Sequence, residues 1–130
     1  MIAVDTNVLV RIVTNDDAAQ ARRALAVMRS DRVFVSRTVL LETAWVLRHA
    51  YGLDDVAVGG ALSTLAGIST VEIDARADVL RALAWHAAGM DVADALHLAS
   101  SGASSAFVSF DRPLAKRARK LGTRPGVVQP

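Results

Sequence analysis

Short apolar runs alternate with longer segments of helical periodicity along the whole chain. Five runs have the length of strands and lie at residues 2–4, 32–36, 70–73, 107–110 and 127–128. The first run is so short and apolar that we expect both of its faces to be buried. Because a helical segment follows each of the first four runs, the pattern predicts an α/β fold with a central, mostly parallel sheet of four to five short strands.

Seven segments carry the signals of helices. They are residues 6–13, 15–30, 37–51, 54–67, 75–88, 91–103 and 112–122. Asn15 or Asp16 is expected to cap the second helix. The apolar stripe of that helix is predicted to consist of Ala18, Ala21, Leu25 and Met28. Gly52 and Gly89 are expected to mark the ends of the third and fifth helices.

The composition is typical of a folded domain without cysteine. At 130 residues and 52% hydrophobic, the chain is predicted to be one domain that spans residues 1–130. The absence of cysteine excludes disulfides, thiolate metal sites and a cysteine nucleophile. The chain opens without a signal-peptide pattern, and no apolar stretch reaches the ~18 residues of a membrane span. We therefore expect a soluble cytoplasmic protein with no membrane partner.

The net charge of +2 is modest, but the basic residues are unevenly placed. Six of them crowd one segment: Arg112, Lys116, Arg117, Arg119, Lys120 and Arg124. Several acids, by contrast, stand alone in apolar sequence, and this combination suggests a polyanionic substrate. The alternative is a solvated helix face, with Leu114, Ala118 and Leu121 turned inward.

Two acids stand directly after apolar runs. Asp5 follows Ile-Ala-Val, and Asp111 follows Phe-Val-Ser-Phe. Ligands of parallel α/β sheets bind beyond the C-terminal ends of the strands, where both acids are expected to lie. Each acid could equally cap the helix that follows it, Asp111 with Pro113 in a first turn where a missing N–H does no harm. The two roles are compatible, because a helix N-terminus also stabilises a carboxylate.

Glu42 lies in the middle of a helix, in TVLLETAWVL, on a face that is largely apolar. No serine or threonine stands three residues earlier, so a capping box does not account for it. A carboxylate buried on such a face requires a partner. The partner is predicted to be a metal ion, and the structural alternative is a salt bridge with a distant arginine.

Asp91 and Asp94 are three residues apart in GMDVADALHLAS and share a helix face. Asp91 is well placed as the N-cap, and Asp94 could complete a reciprocal cap. Because aspartate is a poor residue for a helix interior, we expect Asp94 to have a specific role. His97 follows on the same face and is expected to be a hydrogen-bonded structural residue.

Four acids are predicted to converge on one site: Asp5, Glu42, Asp94 and Asp111. Two carboxylates ~4 Å apart repel each other by about 4 kcal/mol at an effective dielectric near 20. Such a cluster must take up protons, separate or bind a cation. Oxygen-only ligands favour Mg²⁺ or Mn²⁺ over zinc, as one or two ions. Such an ion can lower the pKa of a water and offset charge during phosphodiester hydrolysis.

The motifs VDTNVL, LLETAWVL, DVADALHLA and VSFDRPLAKRA, in this order over essentially the whole chain, resemble the four acidic motifs of the PIN domain. They are most similar to those of VapC-type toxins of bacterial toxin–antitoxin pairs. By this resemblance the family's catalytic, metal-binding acids correspond to Asp5, Glu42, Asp94 and Asp111. Thr6 and Asn7 match the polar pair after the first acid, Ser109 matches the small hydroxyl residue before the fourth, and Asp91 is an additional acid.

The resemblance implies a three-layer α/β/α PIN-like fold and Mg²⁺- or Mn²⁺-dependent endoribonuclease activity. It also implies a homodimer, a cognate antitoxin that blocks the acidic pocket, and structured RNA substrates such as transfer RNA. On this interpretation Thr6 and Ser109 orient water or phosphate. The residues predicted to contact the RNA backbone are Arg112, Lys116, Arg117, Arg119 and Lys120.

Two other functions compete with a nuclease. A non-catalytic module that binds RNA or protein would keep the acids for structure only, although a pure binder should keep fewer costly carboxylates. A phosphatase with Asp5 as its nucleophile would usually carry a second acid two residues later, where Asn7 stands. Trp45 and Trp85 are expected in the core or at a contact with a dimer partner or antitoxin, rather than stacked on bases.

Overall fold

The structure, a computed structural model, describes residues 1–130 and contains all the predicted helices and strands. The helices are α1 (Thr6–Thr14), α2 (Ala18–Ser30), α3 (Arg37–His49), α4 (Asp55–Ala66), α5 (Arg76–Ala87), α6 (Val92–Ala99) and α7 (Arg112–Leu121). The strands are β1 (Ile2–Ala3), β2 (Val33–Val35), β3 (Val71–Ile73), β4 (Phe107–Val108) and β5 (Val127–Val128). All strand pairs are parallel, which confirms the predicted α/β class.

The chain divides into two compact units, residues 1–76 and 77–130. The first unit holds a three-stranded sheet in the order β1-β2-β3, and the second holds the pair β4-β5. The strands therefore pair in two separate ladders, where the sequence predicted one central sheet. Runs of two or three residues carry too little side-chain pattern to select their own neighbours. The assignment of the whole chain to one domain stays a prediction.

In the first unit β2 is the central strand. Its Val33 pairs with Ile2 of β1 and with Val71 of β3, and both valines of β2 are almost fully buried. Helix α1 packs against α2 and α3, α3 packs against α4, and α4 contacts β3. This packing fixes the positions of α1 and α3. These helices carry two of the predicted site acids, Asp5 at the N-cap of α1 and Glu42 within α3.

Strand β1 is exposed, contrary to the sequence-based expectation. Ile2 is 36% exposed and Ala3 is also exposed. The strand stands at the end of the strand order and pairs only with β2, so its other edge has no partner strand in that sheet. The prediction that the run at residues 2–4 is buried on both faces is therefore wrong.

Helix α2 begins at a different cap from either predicted residue. Asp17 caps it, and the Asp17 carboxylate accepts a hydrogen bond from the Gln20 N–H at 3.0 Å. Asn15 instead ends α1 in the left-handed conformation, with a φ of 50°. Asp16 accepts a hydrogen bond from the Tyr51 hydroxyl at 2.6 Å, and this bond is the main cause of the lowered pKa of Asp16. Three consecutive polar residues each suit a cap, so local sequence does not choose between them.

The buried stripe of α2 consists of Ala21, Ala24 and Met28. Ala18 and Leu25 were predicted to belong to it, but both are exposed. The three buried positions cover a narrower arc of the helix surface than the four predicted positions do. Its small alanines suit the close packing of α2 against α1.

Two helices end earlier than predicted. In α3 the regular hydrogen bonds stop because the Tyr51 N–H donates to the Val46 carbonyl, five residues back, rather than to the residue four back. The helix therefore ends at His49, and Gly52 supplies a left-handed turn with a φ of +67°. Helix α6 ends at Ala99 and is followed by a turn instead of continuing to residue 103.

In the second unit α7 connects β4 to β5 and packs against β5. It buries Leu114 and Ala118, half-buries Leu121 and leaves its basic residues mostly exposed. This amphipathic arrangement is the one predicted for the basic segment. Gly122, with a φ of 64°, caps the C-terminus of α7 in the left-handed conformation.

The cores are built from leucine and other aliphatic residues. Leu9, Leu40, Leu47 and Leu62 in the first unit and Leu98 in the second are fully buried. A buried leucine loses all contact with water, which stabilises the fold by about 1.5–3 kcal/mol per side chain. The longest helices have 13 residues, and none has both the length and the apolar composition needed to cross a membrane.

Candidate active site

Asp5 and Asp111 occupy equivalent positions, between a strand and the helix that follows it. Asp5 caps α1, and its Oδ1 accepts a hydrogen bond from the Asn7 N–H at 3.1 Å. Asp111 caps α7, and its Oδ1 accepts from the Leu114 N–H at 2.9 Å. The capping role is therefore confirmed for both acids. In each carboxylate the other oxygen accepts no hydrogen bond, so it is available to a ligand.

Asp91 and Asp94 belong to the first turn of α6. Asp91 is the N-cap, as predicted, and its Oδ2 accepts a hydrogen bond from the Asp94 N–H at 3.1 Å. The reciprocal bond, from the Asp91 N–H to the Asp94 carboxylate, is not formed, which excludes the alternative of a reciprocal cap. The carboxylate of Asp94 makes no hydrogen bond or ion pair, although it is half-buried. Capping therefore does not explain Asp94.

Three acids line one pocket of the second unit, which we call the acid pocket. Its volume is about 170 Å³, and its lining residues are Gly89, Met90, Asp91, Asp94, Asp111, Pro113, Leu114 and Arg117. The two helix N-termini that begin at Asp91 and Asp111 both open onto it. Helix N-termini stabilise negative charge, which explains how several carboxylates can share so small a space.

The carboxyl group of Asp94 has a raised pKa in the acid pocket. Burial raises the pKa of the Asp94 carboxyl, and the negative charges of Asp91 and Asp111 raise it further. The neighbouring His97 lowers this pKa, but it does not outweigh the other effects. The exposed side chain of His97 makes no hydrogen bond, so its predicted role as a hydrogen-bonded structural residue is wrong.

Arg117 is the cationic residue of the acid pocket. Its Nη1 donates to the carbonyl oxygen of Ala88 at 3.5 Å, and its guanidinium lies over Gly89. A Cβ at residue 89 would stand 3.1 Å from the Arg117 Cζ, and the φ of +109° there also favours glycine. In the sequence Arg117 belongs to the same basic segment as the other cations of α7, and this separate position was not predicted. The one signal in the sequence is that Arg117 directly follows Lys116, because consecutive residues of a helix point in different directions.

In the first unit a hydrogen bond joins Glu42 to the residue that follows Asp5. The buried Thr6 hydroxyl donates to the Glu42 Oε1 at 2.5 Å. Glu42 itself is exposed, because the buried face of α3 is formed by Leu40, Ala44 and Leu47, and Glu42 lies beside it. The prediction of a buried carboxylate is therefore wrong. Glu42 is hydrogen-bonded to Thr6 and forms no ion pair with an arginine, while its predicted metal ion stays a prediction.

We expect Thr6→Val to lower the free energy of unfolding by about 1 kcal/mol, the net value of a typical hydrogen bond. Valine keeps the shape of threonine but cannot donate to Glu42. Urea denaturation of wild type, Thr6→Val, Glu42→Gln and the double variant measures the coupling between the two residues. A coupling free energy of zero would contradict a hydrogen bond that positions Glu42.

The other predicted supporting residues have backbone contacts. The Ser109 Oγ accepts a hydrogen bond from the Asp111 N–H at 3.0 Å, which fixes the entry to α7. Asn7 is exposed and donates its N–H to Asp5. The prediction that Ser109 and Thr6 orient water or phosphate stays a prediction. The contacts show that the polar residues next to both acids help to hold the acids in place.

A second and larger pocket lies beside α7, and we call it the basic groove. Its volume is about 620 Å³, and it is lined by Arg112, Ala115, Lys116, Arg119, Val127, Val128 and Gln129. Three cations and no acid form this lining, so the groove favours anions. Lys120 and Arg124 are exposed outside it. Helix α7 thus presents Arg117 to the acid pocket and three other cations to the basic groove.

Neither tryptophan lies in the core of its unit. Trp45 is 60% exposed and packs against the His49 ring at 4.9 Å between centroids. Trp85 is half-buried, with the Arg81 guanidinium 5.6 Å above its ring. A core position for Trp45 is therefore excluded, and contacts of either residue with a partner stay a prediction.

Of the four acids predicted to converge, Asp94 and Asp111 line the same pocket. Asp91, Asp94 and Asp111 meet in the acid pocket, while Asp5 and Glu42 belong to the first unit. No group of three or more histidine, aspartate or glutamate side chains is positioned to hold a metal ion together. The meeting of all four predicted acids at one ion stays a prediction.

The donor set of the acid pocket nevertheless fits a hard divalent cation. All its candidate ligands are carboxylate oxygens, which Mg²⁺ and Mn²⁺ prefer. Mg²⁺ keeps several of its waters and usually needs only one or two carboxylates from the protein. Burial is the main cause of the raised pKa of Asp94, and the negative charges of Asp91 and Asp111 add to it. A bound cation would favour the ionised form of this carboxyl.

Comparison with known proteins agrees with this geometry. The model of the PIN domain family matches residues 2–120 of the chain. No curated protein sequence matches the chain significantly. The seven helices and parallel strands are consistent with the three-layer α/β/α fold predicted from the resemblance. Because the match covers nearly the whole chain, this protein belongs to the PIN domain family, whose members are generally nucleases that use divalent metal ions.

Proposed function

We propose that this protein is a Mg²⁺- or Mn²⁺-dependent endoribonuclease that hydrolyses phosphodiester bonds in RNA. The observation that carries the proposal is the acid pocket, where Asp91, Asp94 and Asp111 line one small cavity in a chain of the PIN family. Structural roles explain the caps at Asp91 and Asp111 but leave the unbonded, half-buried Asp94 without one. A costly carboxylate with no structural partner favours a catalytic role over a purely structural one.

The residues proposed to hold one or two ions are Asp5, Glu42, Asp94 and Asp111. The bound ion would lower the pKa of a water and offset charge on the phosphate. One of the carboxylates accepts the proton of the attacking water. Asp5 and Asp111 are held in fixed orientations because each already accepts a backbone hydrogen bond at a helix N-terminus. Thr6 holds Glu42 in the same way through its hydroxyl.

The basic groove supports RNA as the substrate. Arg112, Lys116 and Arg119 line it together, and Asp111, which caps the same helix, lines the acid pocket. Phosphates in the groove would position the RNA without reading its sequence. Lys120 and Arg124 would add long-range attraction from their exposed positions. Arg117 is better placed to contact a phosphate at the acid pocket itself.

We further propose that the chain is the toxin of a toxin–antitoxin pair. The proposal rests on the similarity of its four acidic motifs to those of VapC-type toxins. On this proposal a cognate antitoxin blocks the acid pocket, the active form is a homodimer, and the substrate is a structured RNA such as transfer RNA in the cytoplasm. Co-expression with the product of an adjacent small reading frame would test the antitoxin.

Purified protein is expected to cleave total cellular RNA in Mn²⁺ or Mg²⁺, to stop when a chelator is added in excess, and to resume when the metal is restored. Mn²⁺ is also expected to raise the melting temperature, because an ion that binds only the folded state stabilises it. Asp5→Asn serves as the inactive control, since asparagine caps helices as well as aspartate does.

Equal cleavage by both proteins in all conditions would contradict the mechanism and indicate a contaminating nuclease. If the protein shows neither cleavage nor a shift of melting temperature in Mn²⁺, the non-catalytic binding module becomes the better account. A covalent phosphate trapped on Asp5 would instead support the phosphatase alternative.

A further inference from the structure

Phe110 is the most exposed large hydrophobic residue of the chain, at 85%. It precedes Asp111, the N-cap of α7, where an apolar side chain often packs against the fourth residue of the helix. That residue is Ala115, and Phe110 does not pack on it, because a side chain exposed to this extent buries almost none of its surface. The usual structural role of an apolar residue at this position is therefore not realised.

The backbone on both sides of Phe110 is nonetheless fixed. The Ser109 N–H donates to the Val128 carbonyl at 3.0 Å, which continues the ladder between β4 and β5. The Ser109 Oγ accepts from the Asp111 N–H at 3.0 Å, and Asp111 caps α7. An exposed aromatic ring on a fixed backbone loses little entropy when it binds a ligand, because only its two side-chain torsions remain free.

Phe110 directly precedes two residues that line pockets of opposite charge in the second unit. Asp111, the next residue, lines the acid pocket, and Arg112, the one after, lines the basic groove. Three consecutive residues thus supply an aromatic ring, a carboxylate and a guanidinium. Sites for single-stranded nucleic acid combine a basic groove, which follows the phosphates, with exposed aromatic rings, on which the bases stack. Phe110 and the basic groove supply these two components two residues apart in the chain.

We propose that Phe110 stacks on an unpaired base of the RNA substrate, next to the phosphate at the acid pocket. The proposal rests on the proposed ribonuclease function and adds a residue, Phe110, that would position an unpaired base of the substrate. A base inside a duplex cannot expose its face to the ring, whereas an unpaired base can. The basic groove selects a polyanion as the occupant of this surface, because an apolar protein segment would leave Arg112, Lys116 and Arg119 without partners.

The test measures binding of a fluorescent, unstructured oligoadenylate about 12 nucleotides long, within the usual size of such sites. The full chain is used in the Asp94→Asn background with chelator, so that no cleavage occurs. Phe110→Ala is expected to weaken binding about 10-fold, since stacking contributes ~1–3 kcal/mol per base. Phe110→Trp should retain the affinity, and Phe110→Leu, which is apolar but has no aromatic face, should bind as weakly as alanine.

A double-stranded RNA of the same length provides the second comparison, and its affinity should be equal for all four proteins. Circular dichroism checks that each variant is folded, which is expected because Phe110 is exposed. Equal binding of oligoadenylate by Phe110→Ala and its parent would overturn the role of Phe110 alone. Full affinity in Phe110→Leu would also overturn it, in favour of a general apolar contact such as a protein partner provides.

A failure of the proposed ribonuclease function would give results that differ from both of these outcomes. If the parent protein binds neither RNA and the wild type cleaves none, the ribonuclease proposal falls and the stacking role falls with it. If the wild type cleaves RNA and Phe110→Ala cleaves single strands and duplexes with unchanged rates, only the stacking role is overturned.

Discussion

Asp94→Asn is expected to reduce RNA cleavage by at least about 100-fold, the lower limit of what a positioned catalytic carboxylate contributes. It is also expected to leave the protein at least as stable as the wild type. Burial and two neighbouring negative charges raise the pKa of Asp94, so folding at pH 7 disfavours its ionised form. Asparagine removes this charge and therefore removes its cost to the folded state.

The stability difference between Asp94→Asn and the wild type is expected to depend on pH. A raised pKa in the folded state means that ionisation of Asp94 destabilises the protein as pH rises through that pKa. The advantage of Asp94→Asn should thus be present near pH 7 and should disappear in acid, where Asp94 is neutral in both states. Urea denaturation at both pH values, with chelator present, measures the difference.

Asp17→Asn is the matched control for Asp94→Asn. Asp17 caps α2 from an exposed position, and asparagine caps equally well, so both cleavage and stability should be unchanged. An Asp94→Asn protein with wild-type cleavage would remove Asp94 from the proposed site. A variant that is clearly less stable than wild type would show that the Asp94 carboxylate has a stabilising partner.

Leu98→Ala is expected to lower the free energy of unfolding by about 2–5 kcal/mol. Leu98 is fully buried on α6, and its truncation removes apolar contacts and leaves a cavity. Such a loss is a large fraction of the stability of an ordinary domain, about 5–15 kcal/mol. Because α6 carries Asp94, the loss of this packing also puts the acid pocket at risk.

The control for Leu98→Ala is Val56→Ala on α4. Val56 is 84% exposed, so its truncation should change stability by less than about 0.5 kcal/mol. Urea denaturation with intrinsic tryptophan fluorescence measures both variants. A loss below about 1 kcal/mol for Leu98→Ala would mean that neighbouring residues collapse into the space that leucine leaves.

Features that depend on local sequence were predicted well. The acids Asp5, Asp91 and Asp111 cap helices as expected, because capping requires only a short polar side chain next to a helical segment. The inward face of α7 was also predicted, since its apolar residues recur at helical spacing and therefore lie on only one face of the helix. Where local sequence offered several equivalent residues, as at the start of α2, the prediction failed.

Features that depend on distant residues could not be predicted. The hydrogen bond from Thr6 to Glu42 joins residues 36 positions apart, and no pattern in either segment specifies it. Strand β1 is exposed because it stands at the end of the strand order, and runs this short do not specify their partner strands. The separation of Arg117 from the other cations of α7 likewise requires knowledge of what lies on each side of the helix.

The capping role of the three acids Asp5, Asp91 and Asp111 has a genetic consequence. A codon for aspartate becomes one for asparagine by a single G-to-A transition at its first base. At Asp5, Asp91 or Asp111 this change removes a negative charge while the helix keeps its cap, because asparagine serves there equally well. The commonest class of point mutation would therefore yield intact, folded chains that have lost a carboxylate of the proposed site.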